Sequence, residues 1–164
     1  MYIVPNVPLI PQSLNMACWY ASAQMVIQWR REKTQSCEQG IIDPSEDPPA
    51  VAIYRANNGL SDTQILGLAK DLGLEVVPPE CPTPEIIGRW LAHYGPLWTN
   101  GSTHITVIAG IDLSQNKLFI HNPWPVGVGK KEWKDMSWLD GSDPDSLDPN
   151  TNAGVFLHCP ALDD

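Results

Sequence analysis

The stretch "PQSLNMACWYASAQMVIQW", residues 11–29, holds no charged side chain in a chain whose formal net charge is -9. Pro11 stops any helix from starting earlier, Asn15 is a good N-cap, and the residues after it read as a helix with Cys18, Ser22, Met25, Val26 and Trp29 on one stripe. Arg30 and Arg31 fall in its last turn, where the helix dipole favours cations. A helix this poor in charge is predicted to be buried, and so to be the element around which the rest packs. Its first turn carries Cys18, expected at about the third helical position. There unpaired backbone N–H groups and the positive end of the dipole favour a thiolate, so a depressed pKa is expected.

Outward from this helix the text changes character twice. Residues 1–11 are apolar and broken by Pro5, Pro8 and Pro11, which suits an extended arm lying on the domain. From Lys33 to Asn58 a cluster of prolines and acids reads as a long surface connection with one short helical turn, closed by a turn at Asn57-Asn58-Gly59. A second helix is predicted from a Ser61 cap to Gly73 at its end. A third runs from a Thr83 cap, with Pro84 in the first helical position, to Gly95. After Gly95 the period shifts from 3.6 to 2: "PLWTN", "HITVIAGID" and "KLFIHNP" read as strands, the last two joined by a turn at Leu113 to Asn116, and "AGVFLHC" as a later one. Helices first and an antiparallel sheet second predict an α+β fold in one domain over 1–164, with a helical part over about 12–95 and a sheet part over about 96–160.

Composition narrows the function. The 164 residues are enough for a real core without disulfides or metals. The acidic balance lacks the footprint of a nucleic-acid or anionic-lipid binder, so neither nucleic acid nor membrane is expected as a partner. No apolar run reaches the roughly 18 residues that span a bilayer, and the Met1-Tyr2-Ile3-Val4-Pro5 start has no basic region of a signal peptide. The four cysteines, Cys18, Cys37, Cys81 and Cys159, show no paired spacing suited to zinc. Cys37, Cys81 and Cys159 read as small buried hydrophobes whose pairing depends on redox compartment. The aspartates between Asp135 and Asn152 read as a solvated loop, since "DGSDPDSLD" fails the twelve-residue calcium pattern. No metal or organic cofactor is implied.

A thiolate needs a base, and four histidines compete. His93 lies near the end of a helix whose Ile86, Ile87, Trp90 and Leu91 stripe accounts for its burial; His158 stands beside Cys159 with no evident orienting neighbour. His104 opens a strand after the flexible "NGST". The midpoint of 104 and 122 is 113, inside the predicted turn, so a symmetric hairpin sets His104 opposite Asn122 on one face, with His121 on the other. A slip by one residue would exchange Asn122 and His121. Asn122 could then orient the imidazole, as the third member of a catalytic triad does. Gln12, six residues before Cys18, could donate to an oxyanion together with the Cys18 backbone N–H. Trp124 could cover the Asn–His bond from water.

"QSLNMACW" resembles the Gln-x5-Cys-Trp signature of papain-like cysteine proteases, and His104 and the Asn122-x-Trp124 pair follow in the same order. The resemblance covers roughly Pro8 to Trp124. In size and spacing it is greatest to the compact papain-like proteases that bacteria deliver as effectors. Two features differ: compact effectors often carry aspartate where this chain has Asn122, and Met16-Ala17-Cys18-Trp19 stands in place of the Cys-Gly-Ser-Cys-Trp run of the papain subgroup.

The resemblance implies a papain-like fold, a central catalytic helix packed on a C-terminal antiparallel sheet, and a cysteine endopeptidase. Cys18 would be nucleophile, His104 general base and acid, Asn122 the orienting residue, Gln12 the oxyanion donor and Trp124 the shield. It also implies a monomer that acts on a protein substrate, is delivered by a bacterial secretion system into a target cell as an effector or interbacterial toxin, and has a cognate immunity protein as partner. The same machinery serves a cysteine-type cell-wall amidase, and an inactive papain-like binding module is the alternative from another class.

Overall fold

A computed structural model describes residues 1–34, 40–80, 82–100, 104–139 and 154–162, the side chains of 78–80 and 154 apart. Its organising element is helix α1, Cys18–Thr34, which is buried almost all round: Trp19, Ala21, Ser22, Ala23, Met25, Val26, Ile27, Trp29 and Arg30 are inaccessible. The missing charge of residues 11–29 has this cause. The start differs from the expected one. The carbonyl of Ala17 accepts the first helical bond, from Ala21 N–H at 3.1 Å, so Cys18 is the first helical residue and Asn15 lies outside the helix.

The described part of the Lys33 to Asn58 connection, from residue 40 on, is more ordered than expected. It contains a 3-10 turn, Pro44–Glu46, capped by Asp43, and helix α2, Pro48–Arg55, capped by Asp47. The proline and acid cluster is thus two helix starts in succession: an aspartate accepts from the free N–H groups and the following proline fixes φ where no N–H is needed. Helices α3, Asp62–Leu72, and α4, Pro84–Tyr94, begin at Ser61 and Thr83 and end at Gly73 and Gly95. Gly95 has φ +93°, and a Cβ there would sit 2.1 Å from the Trp29 ring, so this helix end is seated directly on α1.

The sheet comprises β1 (Tyr2–Ile3), β2 (Glu75–Glu80), β3 (Leu97–Asn100), β4 (Ile105–Asp112), β5 (Lys117–Asn122), β6 (Lys130–Asp135) and β7 (Gly154–His158). Its order is β2-β7-β3-β4-β5-β6, and all described pairings are antiparallel; β1 continues the β3 edge of β4. Strands β2 and β6 were not legible as strands, the first because of Pro78 and Pro79, the second because "KKEWKD" is mostly charged. Both are end strands of the sheet, where proline and lysine are tolerated. Strand β2 also carries the sheet back into the expected helical part. Every residue of β4 is buried, with α1 and α4 packed against it, and Trp98 on β3 donates its indole N–H to the Trp19 carbonyl at 3.1 Å.

The β4–β5 hairpin departs from symmetry in a way that decides the site. Near the turn Asp112 pairs with Lys117 and Gly110 with Phe119; after a bulge at Ala109, Ile108 pairs with Ile120 and Val107 with His121. His104 and Asn122 are therefore not directly opposite, as the symmetric reading had it, but diagonal. One extra residue in β4 shifts the alternation by one. Without it, His104 would share its face with His121 in place of Asn122.

Candidate active site

Four short segments converge on a cleft of about 560 Å³ lined by Gln12, Asn15, Met16, Cys18, Trp19, Gly59, Leu60, Asp62, Ile65, Asn100, His104, Ile105 and Trp124. The start of α1 and the arm before it form one wall, and the β4–β5 hairpin with the residues after β5 forms the other. Sequence reasoning placed Gln12, Cys18, His104 and Trp124 here, and all four line the cleft, with Asn122 bonded to His104 behind it.

On the hairpin wall the His104 Nε2 and Asn122 Oδ1 are 2.7 Å apart. Trp124 N–H donates to the same Asn122 oxygen at 3.0 Å. A backbone N–H can only donate, so the Asn122 atom it meets is the carbonyl oxygen, and His104 must bring the hydrogen on Nε2. The lone pair of a neutral His104 is then on Nδ1. The Trp124 side chain is 46% exposed and lines the cleft. His121, on the other face, is buried and donates from Nδ1 to the Pro8 carbonyl at 3.1 Å, which ties down the arm that leads to Gln12.

On the helix wall Cys18 is a free, half-buried thiol. Burial pushes its pKa up from the ordinary value, against the backbone amides of Ile105, Trp19 and Cys18, which favour the thiolate. The depressed pKa expected from the helix terminus is therefore not what this environment imposes: desolvation exceeds the amides. Burial likewise pushes His104 down, opposed by the Asn122 hydrogen bond and the charge of Glu132. Each group by itself favours its neutral form.

Gln12 is 1% exposed and its side-chain N–H₂ donates to the carbonyls of Leu14 and Asn15, both at 2.9 Å. Its backbone is held as well: Gln12 N–H donates to Pro123 at 3.0 Å, and Gly127 N–H to Gln12 at 2.9 Å. Gln12 thus fastens the loop that delivers Cys18 to the segment that carries Asn122 and Trp124.

Sequence reasoning missed the contribution of 57–65. Asn57 Oδ1 accepts from Met16 N–H at 2.9 Å, and Trp19 donates its indole N–H to the Asn58 carbonyl at 3.0 Å. Leu60, Asp62 and Ile65 complete that side of the cleft. The turn at Asn57-Asn58-Gly59 was legible, but what it packs against was not. Asn100 at the end of β3 is also in the lining, its Oδ1 accepting from Val155 N–H at 2.7 Å. Among the described residues no group of three or more His, Cys, Asp or Glu could hold a metal, and no helix is long and apolar enough to cross a membrane. Cys37, Cys81 and the aspartates from Asp140 to Asp148 lie outside the described residues; Cys159 is buried, its thiol donating to the Val26 carbonyl at 3.9 Å.

Comparison with solved structures shows a papain-like fold. The peptidase domain of Streptococcus ComA, a bifunctional ABC transporter of a quorum-sensing pathway, superposes with a TM-score of 0.52 at 17% identity, over 94% of this chain and 100% of that one. UfSP from C. elegans superposes with a TM-score of 0.61 at 15% identity, over 98% of this chain and 34% of that one. No curated protein sequence matches. The model of one family, described as papain-like cysteine protease AvrRpt2, matches residues 1–137. That match covers most of the chain, including the Cys-led α1 and the β4–β5 hairpin: the chain belongs to the AvrRpt2 family of papain-like cysteine proteases.

Proposed function

We propose that the protein is a cysteine endopeptidase working through a Cys18-His104-Asn122 triad, and that it acts as a delivered bacterial effector or toxin on a protein substrate. The observation that carries the triad is the 2.7 Å bond from His104 Nε2 to Asn122 Oδ1, made on the wall that faces the cleft holding Cys18. It leaves Nδ1 of the imidazole as the base.

Because burial favours the neutral thiol and the neutral imidazole, proton transfer accompanies attack. His104 Nδ1 takes the Cys18 proton as sulfur bonds to the peptide carbonyl carbon. The oxyanion receives the Cys18 backbone N–H and one N–H of Gln12, which gives up its bond to Leu14 or Asn15. His104 then protonates the leaving amine, and water, deprotonated by the same nitrogen, hydrolyses the thioester. Trp124 restricts water at the His104–Asn122 bond. The effector role rests on the family match and on size and spacing, and it implies that a toxin of this kind meets an immunity protein in its producer.

The test is alkylation of the folded protein by iodoacetamide or E-64 from pH 4 to 9, with the labelled thiol mapped by mass spectrometry. Labelling concentrated on Cys18 and strongly slowed in His104→Ala is the expected result, because a thiol that rests neutral needs His104 to take its proton as it attacks. A Cys18 that labels at the same rate with His104 present and with it replaced sinks the protease reading and leaves a binding module.

A further inference from the structure

The orienting residue of this site is a neutral amide, so it holds the imidazole without supplying charge to the imidazolium that forms on it. The sheet places a carboxylate where that charge is needed. In the β5–β6 ladder Asn122 pairs with Lys130 and Ile120 with Glu132. Paired residues share a face, so Glu132 stands on the face of Asn122 and, through the 2.7 Å bond, of His104. It is the diagonal neighbour of Asn122, a relation that spans about 7–8 Å and that a glutamate can shorten.

The local chemistry keeps this group ionised. Lys130 Nζ lies 3.0 Å from Glu132 Oε2 and Lys134 Nζ 3.3 Å from Oε1. Burial alone would raise the Glu132 carboxyl, but the two ammoniums outweigh it and hold the pKa below the ordinary value. Its side chain is only 17% exposed, and Oε2 is shut away from solvent without a hydrogen bond of good geometry, although Lys130 is close. A carboxylate oxygen held in this way is weakly screened.

We infer that Glu132 is a positioning residue for the reaction: it supplies, from β6, the negative charge that steadies protonated His104 while Asn122 supplies the orientation. This rests on the proposed role of His104. The charged and titratable groups around the imidazole are the Cys18 thiol on α1, Glu132 with Lys130 and Lys134 on β6, and Asp62 at the start of α3 across the cleft. His121 and Lys131 lie on the opposite face of the β5–β6 ladder. Of these, the Glu132 carboxylate is the negative charge on the sheet side of the ring. Its effect opposes burial, which weakens His104 as a base.

The decisive experiment reads His104 directly. In Cys18→Ala protein the imidazole is titrated by NMR with Glu132 intact, in Glu132→Gln and in Glu132→Asp. Glu132→Gln is expected to lower the His104 pKa by about half to one unit, a three- to tenfold loss of proton affinity, with most of it restored by Glu132→Asp. An unchanged His104 pKa in folded Glu132→Gln overturns the inference. Should Glu132→Gln fail to fold, Lys130→Gln gives the opposite arm: Lys130 is 57% exposed, and freeing Glu132 of it is expected to raise the pKa, whereas no rise overturns the inference. Because the titration needs no nucleophile, it answers even if Cys18 alkylates slowly, so failure here and failure of the protease reading are separable.

Discussion

The two walls of the cleft are built by different physics. The hairpin wall is a chain of directed bonds: Trp124 N–H and His104 Nε2–H meet on one Asn122 oxygen, at 3.0 and 2.7 Å. The helix wall is set by packing. Cys18 is delivered by a buried helix and by a loop that Gln12 and Asn57 fasten, while its thiol meets backbone amides that burial outweighs. One wall fixes the orientation of His104, the proposed base; the other fixes the position of Cys18, the proposed nucleophile, whose proton that reading assigns to His104. Damage to the first should appear in the chemical step, and damage to the second in the stability of the loop.

Asn122→Ala breaks the comparison most sharply. It removes the acceptor of two hydrogen bonds at once, so the imidazole loses its tautomer and direction, and kcat should fall by about 10²- to 10⁴-fold with KM little changed. Steady-state kinetics on a cleaved peptide, with unfolding followed in parallel, checks it. A fall in KM-dependent binding alone would mean that Asn122 serves the fold of the hairpin and not the base.

Gln12→Ala comes next and divides the helix wall's two duties. As a bridge to the Leu14 and Asn15 carbonyls, Gln12 should cost about 1–3 kcal/mol of stability when removed, because two partly buried acceptors are left unpaired. As an oxyanion donor it should also lower kcat by about 10²- to 10³-fold. Denaturant unfolding and kcat measured on the same variant separate the two, and loss of stability with kcat intact would leave the oxyanion to the Cys18 N–H alone.

The same contrast explains what could be read from sequence. Cys18 and the caps at Ser61, Thr83, Gly73 and Gly95 were legible because helix termini and a thiol on an uncharged helix follow from local chemistry, whereas Gln12 was singled out only by its spacing from Cys18 in the papain-like resemblance. The pairing of His104 with Asn122 was legible only by parity: the symmetric register was off by two, and the bulge at Ala109 that restores the shared face leaves no mark in "HITVIAGID". The direction of the Cys18 shift was misread because the dipole is local whereas desolvation depends on what covers the thiol. Glu132 was invisible because a lysine-flanked glutamate reads as a solvated edge until the β5–β6 register sets it beside Asn122.

The smallest expected effect is on stability against pH, and it too divides the walls. His104 and His121 on the hairpin, with His158 on β7, are all pushed below the ordinary imidazole value, first by burial. Below about pH 6.5 the unfolded chain takes up protons that the folded chain refuses, so stability is complete above that pH and is lost as pH falls from about 6.5 through the folded pKa values. Cys18 has the opposite sign: burial holds its folded pKa above the ordinary thiol value, so its contribution is present below that value and is lost as pH rises through the folded pKa. The melting temperature should therefore fall between pH 7 and 5 and again above pH 9, the acid loss owed to the sheet and the alkaline loss to the helix wall. His121→Gln keeps a donor for the Pro8 carbonyl without a titrating ring, and it should flatten the acid slope while leaving the alkaline one alone. An acid slope unchanged in that variant would place the proton uptake on His104 and His158, and so on the site itself and the far strand rather than on the face that anchors the arm.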